Sequence, residues 1–258
     1  MLPTGFGEFF TLMNKLKVAS KRVRPLLGTF LEIALFTNGD FSLPLTLAFE
    51  EASRLEKIFN LKDPASEINN LSIENSPVFT EVLLKAEEFF SASEGAFSPY
   101  LETGQKLDLN GIAKGFIVDK IVESILQENS SLSGSVNAGG DLRYFNCPEK
   151  TVNLQLGPLA SPVFRKLRLA KNAVASSSMS PSKKDNRSST RYRQVLRSGL
   201  SESHTVTVMA DTCIVADALT KVALFANSEV AQNCSLFYKA QVMIFDATGE
   251  LFEVFGEQ

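Results

Sequence analysis

The residues with the clearest chemical potential lie between Lys106 and Asp141. Gly111 precedes a predicted helix, and Lys114 falls in the first turn of that helix. A cation gains little at a helix N-terminus, because the macrodipole is already positive there. A bound anion would resolve this conflict, since backbone N–H groups and an ammonium can both face a phosphate. We therefore predict a phosphate site here; the alternative is a Lys114 side chain that only extends along its own helix.

A second loop with two consecutive glycines follows the next predicted strand, at Asn137 to Asp141. Gly139 and Gly140 could present backbone N–H groups as an anion-binding nest, and glycine also permits close approach of a ligand to the backbone. A tight turn without a ligand is the alternative. Together the two loops predict a phosphate-bearing ligand held between them.

The elements that position these loops follow from hydrophobic spacing. Helices are predicted over 45–59, 77–92, about 112–127, and from Asp211 or Thr212 to about Ala226. A strand is predicted over 24–36, with Gly28 as a bulge, and a short strand is predicted just before Gly111. Further strands are predicted near Ser135, in two stretches within 151–175 and over 204–209. Residues 241–255 are predicted to form a hairpin. Residues 176–199 are rich in serine and basic residues and are predicted to form a long loop. This mixture of elements predicts an α+β fold.

Length and composition exclude several classes of protein. The chain of 258 residues suits one large domain or two closely packed lobes. Its formal net charge of −3 argues against a general nucleic-acid-binding protein. One histidine and three widely spaced cysteines exclude a multi-histidine metal site and provide neither a disulfide framework nor a zinc spacing. No apolar run in the sequence is long enough to span a bilayer.

The N-terminal residues are predicted to be an extension, 1–23, followed by a single domain over 24–258. An export signal needs basic residues before an uninterrupted apolar stretch. Here Glu8 interrupts the apolar stretch and the basic residues follow it. The sequence as it stands predicts a cytoplasmic protein, or a periplasmic one if an export signal has been removed.

Six motifs in order, between about Arg24 and Phe255, resemble those of the ApbE family, the FAD:protein FMN transferases that attach FMN to flavoproteins. The motifs are RPLLGT from Arg24, DPASEIN from Asp63, SEGAFSP from Ser93, DLNGIAKG from Asp108 together with Asp119, NAGGD from Asn137, and ADALT from Ala216.

The resemblance implies an ApbE-like, T-fold-like architecture of two lobes with mixed or antiparallel sheets. It implies transfer of FMN from FAD to a threonine or serine hydroxyl of a target flavoprotein, with release of AMP. It also implies a Mg²⁺ ion held by the backbone carbonyl of Ala113 and by Asp217. The FAD-binding residues that it implies are Gly28, Thr29, Asp108, Gly111, Lys114, Asp119, Asn137, Gly139, Gly140, Asp141, Ser176 and Ser177. For Asp108 and Asp119, a helix cap and a solvent-facing charge are the alternatives.

One departure from the family pattern affects the metal. Lys221 stands four residues after Asp217, where the family has a threonine that binds the ion. A protonated lysine has no lone pair to offer, so the expected Mg²⁺ site loses a ligand. Two arrangements remain open: an exposed Asp217–Lys221 pair one helical turn apart, or a Lys221 side chain that projects into the site beside Asp217.

A second departure affects catalysis. Arg193 and Gln194 occupy the positions of two family histidines, and neither is a general base near neutral pH. Ser98 also replaces a family aspartate. His204 lies outside this motif and is predicted to be a hydrogen-bonded structural histidine, and the basic residues of 183–197 are predicted to be solvated.

The sequence therefore predicts an FMN transferase-like protein that uses FAD and a target flavoprotein. The departures at Lys221, Arg193 and Gln194 would weaken that activity, so the sequence leaves open whether the protein is an active enzyme. The alternative is a non-catalytic FAD-binding protein in which Lys221 replaces the metal ion. A third possibility is an interaction scaffold whose cleft no longer binds flavin.

Overall fold

A computed structural model describes residues 18–36, 41–71, 76–100, 106–157, 162–178 and 195–257. The helices in these residues are α1 Ser42–Phe59, α2 Pro77–Ala92, α3 Ala113–Glu128, α4 Cys213–Phe225 and α5 Ser228–Phe237. The strands are β1 Ser20–Leu26, β2 Thr29–Leu35, β3 Gly134–Ala138, β4 Asp141–Phe145, β5 Thr151–Leu156, β6 Val163–Arg168, β7 Ala173–Ser178, β8 Thr205–Ala210, β9 Gln241–Phe245 and β10 Leu251–Gly256. A 3₁₀ turn covers Glu67–Asn69.

Within the described ranges, eight strands form one antiparallel sheet in the order β1-β2-β3-β4-β7-β8-β9-β10. Each half of the sheet is built in the same way: two strands, then helices, then two further strands. The first half runs from β1 to β4 and the second from β7 to β10, and they meet where β4 pairs with β7. The predicted α+β fold is confirmed.

The hydrophobic core lies between the sheet and the helices. Helices α3 and α4 lie across the middle of the sheet, where α3 contacts β3 and β4 and α4 contacts β7 and β8. The β5–β6 hairpin covers the opposite face, where Leu154 and Leu156 pack with Leu142, Val174 and Met243 in a second apolar cluster. Residues of one strand point alternately to these two faces. The face to which a side chain points therefore decides whether it can reach α3 and α4.

Local signals explain where some helices begin. Helix α2 starts with Pro77 at its first position, and the Ser76 side chain accepts a hydrogen bond from the Phe79 N–H. Helix α5 is not among the predicted helices, and at its start the Asn227 side chain accepts from the Val230 N–H in the same way.

Several sequence-based boundaries are wrong. Residues 24–36 form parts of two strands, because Leu27 and Gly28 have φ values of 60° and 69° and make a two-residue hairpin turn. Residues 176–178, assigned to the long loop, belong to β7. The short strand predicted before Gly111 is only an isolated bridge between Tyr100 and Leu107. Strand β4 was not predicted as a separate element.

The predicted N-terminal extension is described only from residue 18 onward, and β1 begins at Ser20 within it. Among the described residues, none of the helices combines the length and the apolar character needed to cross a membrane.

Candidate functional site

The two glycine-containing loops lie at the same end of the sheet. Helix α3 begins directly after the turn at Gly111, and Asp141 is the first residue of β4, directly after the β3–β4 turn. The Lys114 ammonium forms an ion pair with the Asp141 carboxylate. This pair joins the start of α3 to the β3–β4 turn.

A second ion pair lies on α4, between the Lys221 ammonium and Oδ1 of Asp217. Lys221 Nζ also donates a hydrogen bond to the backbone oxygen of Asp217 at 3.2 Å. We call Lys114, Asp141, Asp217 and Lys221 the charged cluster. Asp217 is only 1% exposed, whereas the side chains of Lys114 and Lys221 are 38% and 18% exposed. The cluster therefore has buried carboxylates and partly exposed lysine side chains.

The charges in the cluster influence one another strongly. Burial alone would lower the pKa of Lys114, but the carboxylates of Asp141 and Asp217 outweigh it and raise that pKa above its usual value. Burial and the nearby Asp217 carboxylate raise the pKa of Asp141 to about 6, against the opposing effect of Lys114 and Lys221. Lys114 is therefore a permanent cation at neutral pH.

Gly115 allows α3 and α4 to approach closely. A Cβ atom at this position would lie 2.7 Å from the carbonyl carbon of Cys213 and 2.9 Å from Cβ of Asp217. The Gly115 N–H donates to Oδ2 of Asp217 at 3.1 Å. Both carboxylate oxygens of Asp217 therefore already have protein partners.

The Lys221 side chain extends toward α3. A Cβ atom built at Gly111 would lie 3.7 Å from Cε and 3.8 Å from Cγ of Lys221, so the methylene stem passes beside the turn that opens α3. Because Asp217 is buried, the interpretation of an exposed surface pair is wrong. The alternative, in which Lys221 projects into the site beside Asp217, agrees with the structure.

Several backbone N–H groups in the two loops already donate to protein acceptors. At the start of α3, the Ala113 N–H donates to the Leu109 carbonyl, and the Gly115 N–H is bound to Asp217. In the β3–β4 turn, the Gly140 N–H donates to Asn137 Oδ1 at 2.9 Å. These three N–H groups therefore already have protein acceptors, and the two lysines are the cationic groups that this site offers to an anion.

The β1–β2 turn lies beside the β3–β4 turn. Gly139 and Gly140 have φ values of 64° and 106°, a conformation that favours glycine. A Cβ atom at Gly139 would lie 2.6 Å from Oγ1 of Thr29, so these two predicted FAD-binding residues are in contact. Gly28 is exposed in the adjacent turn. The structure thus brings the first predicted motif to the same end of the sheet as the charged cluster.

Asp119, another predicted FAD-binding residue, has protein partners for both oxygens. Its carboxylate accepts hydrogen bonds from the backbone N–H groups of Cys213 and Ile214, each at 2.9 Å, and pairs with Arg143 at 2.7 Å. Asp119 therefore caps the N-terminus of α4 from outside that helix. Because it is buried, the interpretation of a solvent-facing charge is wrong. Burial raises its pKa, against the lowering effect of Arg143 and the two N–H groups.

Asp108 stabilises a turn. Its Oδ1 accepts from the Asn110 N–H at 3.0 Å, and the N-cap position of α3 is Ile112, so Asp108 does not cap that helix.

The two serines of β7 point to opposite faces of the sheet. Ser177 Oγ lies 2.8 Å from Oγ1 of Thr220, which in turn donates to the backbone oxygen of Asp217. Ser177 is thus linked to the charged cluster. Ser176 Oγ lies 2.9 Å from Oγ1 of Thr207 and, by strand alternation, is on the face that β5 and β6 cover. Ser176 therefore lies on the face opposite the charged cluster, whereas its predicted contact with FAD stays a prediction.

The histidine-replacement positions, Arg193 and Gln194, lie outside the described residues. Arg197 does not belong to a solvated segment, because it is buried and its guanidinium pairs with Glu253. Its NH1 also donates to Ser228 Oγ at 3.1 Å.

His204 has a structural environment. Its Nδ1 lies 3.0 Å from the Ser201 N–H donor, and its ring packs against Phe252. This agrees with the predicted hydrogen-bonded structural histidine.

The charged cluster does not fit a Mg²⁺ ion. Mg²⁺ requires oxygen ligands in a near-octahedral arrangement. Here Lys221 and the Gly115 N–H engage the two carboxylate oxygens of Asp217, so the Asp217–Ala113 pair expected from the resemblance is not open to an ion. In the described part of the chain, no cluster of three or more His, Cys, Asp or Glu side chains is arranged to bind a metal ion.

Comparison with known proteins identifies related structures. The ApbE protein of Thermotoga maritima has a TM-score of 0.71 at 18% identity, over 90% of this chain and 96% of that one. The flavin transferase ApbE of Vibrio cholerae has a TM-score of 0.69 at 16% identity, over 93% and 98%. The flavinyl transferase ApbE of Pseudomonas stutzeri has a TM-score of 0.68 at 16% identity, over 94% and 95%. These similarities show a shared fold.

Two sequence comparisons gave different outcomes. A search of curated proteins finds no match to this chain. The family model described as the ApbE family matches residues 100–236, which include α3, the β3–β4 turn and α4. This match covers more than half of the chain, and the protein therefore belongs to the ApbE family.

Proposed function

We propose that this protein is an FMN transferase-like member of the family that binds FAD at the charged cluster. It would transfer FMN to a threonine or serine hydroxyl of a target flavoprotein and release AMP. The observation that carries the proposal is the position of the partly exposed Lys114 and Lys221 side chains, which pair with buried carboxylates at the end of the sheet where the family motifs meet. We also propose that the whole described chain from β1 to β10 forms this one domain.

The pyrophosphate of FAD gives these lysines a role. In the proposed reaction, the acceptor hydroxyl oxygen bonds to the FMN phosphorus, and the bond from this phosphorus to the bridging oxygen breaks. AMP leaves with that oxygen, and the acceptor proton passes to solvent or to a base. Ammonium groups placed beside the bridging oxygen would stabilise the negative charge that develops on the leaving phosphate.

A second candidate is a protein that binds FAD without transferring FMN. The occupation of the family histidine positions by Arg193 and Gln194 favours it, because neither side chain accepts a proton readily near neutral pH. Binding in this case would use the same lysines and would leave FAD intact.

An assay with FAD and a peptide that carries an acceptor threonine distinguishes the two candidates. Released AMP is measured by chromatography, and the peptide mass is measured for addition of FMN. We expect FAD binding that falls about tenfold or more in Lys114→Met, the size of one lost charge-assisted hydrogen bond. Lys120→Met is the control, because Lys120 is an ion-paired lysine farther along α3.

Peptide modification with stoichiometric AMP release would support the transferase, and FAD binding without AMP would support the second candidate. Absence of FAD binding by the wild-type protein would contradict both. An equal loss of affinity in Lys114→Met and Lys120→Met would contradict the assignment of the charged cluster as the site.

A further inference from the structure

We propose that the Lys221 ammonium acts as a built-in cation, so that the site binds the pyrophosphate of a flavin nucleotide without a divalent metal ion. This inference rests on the proposed function, because it requires FAD to bind at the charged cluster. It assigns Lys221 as a residue that determines metal independence.

The first argument is the engagement of Asp217. One carboxylate oxygen pairs with Lys221 and the other accepts from the Gly115 N–H at 3.1 Å. The close packing of α3 on α4 at Gly115 fixes the second contact. A metal ion at Asp217 would have to displace the ammonium that already neutralises this buried carboxylate.

The second argument is the fixed position of the ammonium. Lys221 Nζ is held by both Oδ1 and the backbone oxygen of Asp217. Its stem lies beside Gly111, and the side chain is only 18% exposed. A free lysine side chain loses about 2 kcal/mol of rotamer entropy when it is immobilised. Because Lys221 is already ordered, most of that cost does not fall on ligand binding.

The third argument is charge. With Asp141 and Asp217 ionised, Lys114 and Lys221 make the four-residue cluster neutral. Removal of the Lys221 charge would leave a net charge of −1 beside an anionic ligand, and a divalent cation would then be needed to reverse the sign. The ammonium therefore does part of the work of a metal ion, and it does so in the free protein.

The test is FAD binding by the full chain, followed by flavin fluorescence, in EDTA and in millimolar Mg²⁺. We expect the wild-type Kd to change less than about twofold between the two conditions, since no metal takes part. In Lys221→Thr, which restores a hydroxyl ligand and removes the ammonium, we expect FAD binding about tenfold weaker in EDTA, with most of the affinity regained in Mg²⁺. Calorimetric titration with Mg²⁺ alone should show binding to this variant and none to the wild type.

Two further variants separate this role from a purely structural one. Lys120→Thr is the matched control, since Lys120 is an ion-paired helical lysine with a 23% exposed side chain. It should retain both the wild-type affinity and the indifference to EDTA. Removal of Lys221 alone leaves the buried Asp217 carboxylate without its ion-pair partner, which destabilises the folded protein. The double variant Asp217→Asn/Lys221→Met removes both charges and should still fold, yet bind FAD about tenfold more weakly with or without Mg²⁺.

Wild-type FAD binding that requires Mg²⁺ would overturn the inference and leave the proposed FAD site intact. Wild-type affinity in the double variant would overturn it as well. Absence of FAD binding by the wild type in either condition would instead refute the proposed function, and the inference with it.

Discussion

The substitution Gly115→Ala tests the packing on which the charged cluster depends. The added Cβ would lie 2.7 Å from the Cys213 carbonyl carbon and 2.9 Å from Cβ of Asp217. Ordinary carbon–carbon contacts are about 3.5–4.0 Å, so α3 and α4 would have to separate by about 1 Å. Because the nearest atoms belong to the backbone of α4, a rotamer change cannot relieve the overlap.

The free energy of unfolding should fall for two reasons. Overpacking of a core costs about 1–3 kcal/mol. Loss of the Gly115 N–H bond to the buried Asp217 carboxylate costs about 1.5–3 kcal/mol more. The better helix propensity of alanine offsets about 1 kcal/mol, so we expect a net loss of about 1.5–5 kcal/mol. At about 2–4 °C per kcal/mol for a chain of this size, Tm should fall by about 3–20 °C.

Thermal unfolding followed by circular dichroism measures this change, and Gly111→Ala is the matched control. A Cβ at Gly111 would meet the Phe97 ring at 3.2 Å and the Lys221 stem at 3.7 Å, and both side chains can shift. We expect this control to lose about 1 kcal/mol or less. A Gly115→Ala protein that melts no lower than Gly111→Ala would refute the close packing of α3 on α4.

Two further predictions concern buried carboxylates. Asp119→Ala should lower the free energy of unfolding in urea by about 3–5 kcal/mol, since Arg143 loses its partner and α4 loses its cap. A loss below about 1 kcal/mol would contradict this role of Asp119. For Asp141, burial raises the pKa to about 6 in the folded protein, above the ordinary value of 3.8, so the folded state binds the proton more tightly than the unfolded state. The contribution of Asp141 to the free energy of unfolding therefore decreases as pH rises from about 4 to 6. Over that range, the free energy of unfolding in urea should decrease less for Asp141→Asn than for the wild type. Parallel pH profiles of the two proteins would count against this role of Asp141.

Local sequence signals were sufficient where short-range chemistry decides the structure. Helix α2 has the predicted bounds because Pro77 opens it and its apolar positions repeat with helical spacing. Two missed elements also carried local signals. The Gly139-Gly140 pair is typical of a two-residue hairpin turn and could have indicated β4, and Asn227 followed by Glu229 could have indicated the start of α5.

The site was predictable only in part, because its geometry depends on long-range contacts. The family motifs indicated Lys114, Asp217 and Lys221, but not which groups occupy the two oxygens of Asp217. The Gly115–Asp217 hydrogen bond joins residues 102 positions apart, and the Asp119–Cys213 bond joins residues 94 positions apart. Both depend on how α3 packs against α4, which residue spacing alone does not determine.

The burial of Arg197 was unpredictable for the same reason. It follows a basic, serine-rich stretch that reads as solvated, yet its partner Glu253 lies on β10, 56 residues away. Ser176 shows a different limit of the sequence. The motif placed both serines at the site, whereas the alternation of β7 directs only Ser177 toward α4.

The crystal structure of the protein with FAD, grown in EDTA, tests the central claim most directly. We predict the pyrophosphate within hydrogen-bonding distance of the Lys114 and Lys221 ammonium groups, beside the β3–β4 turn, with Asp217 still bound by Lys221 and the Gly115 N–H. FAD bound elsewhere on the molecule, or a pyrophosphate that contacts neither lysine, would contradict the account.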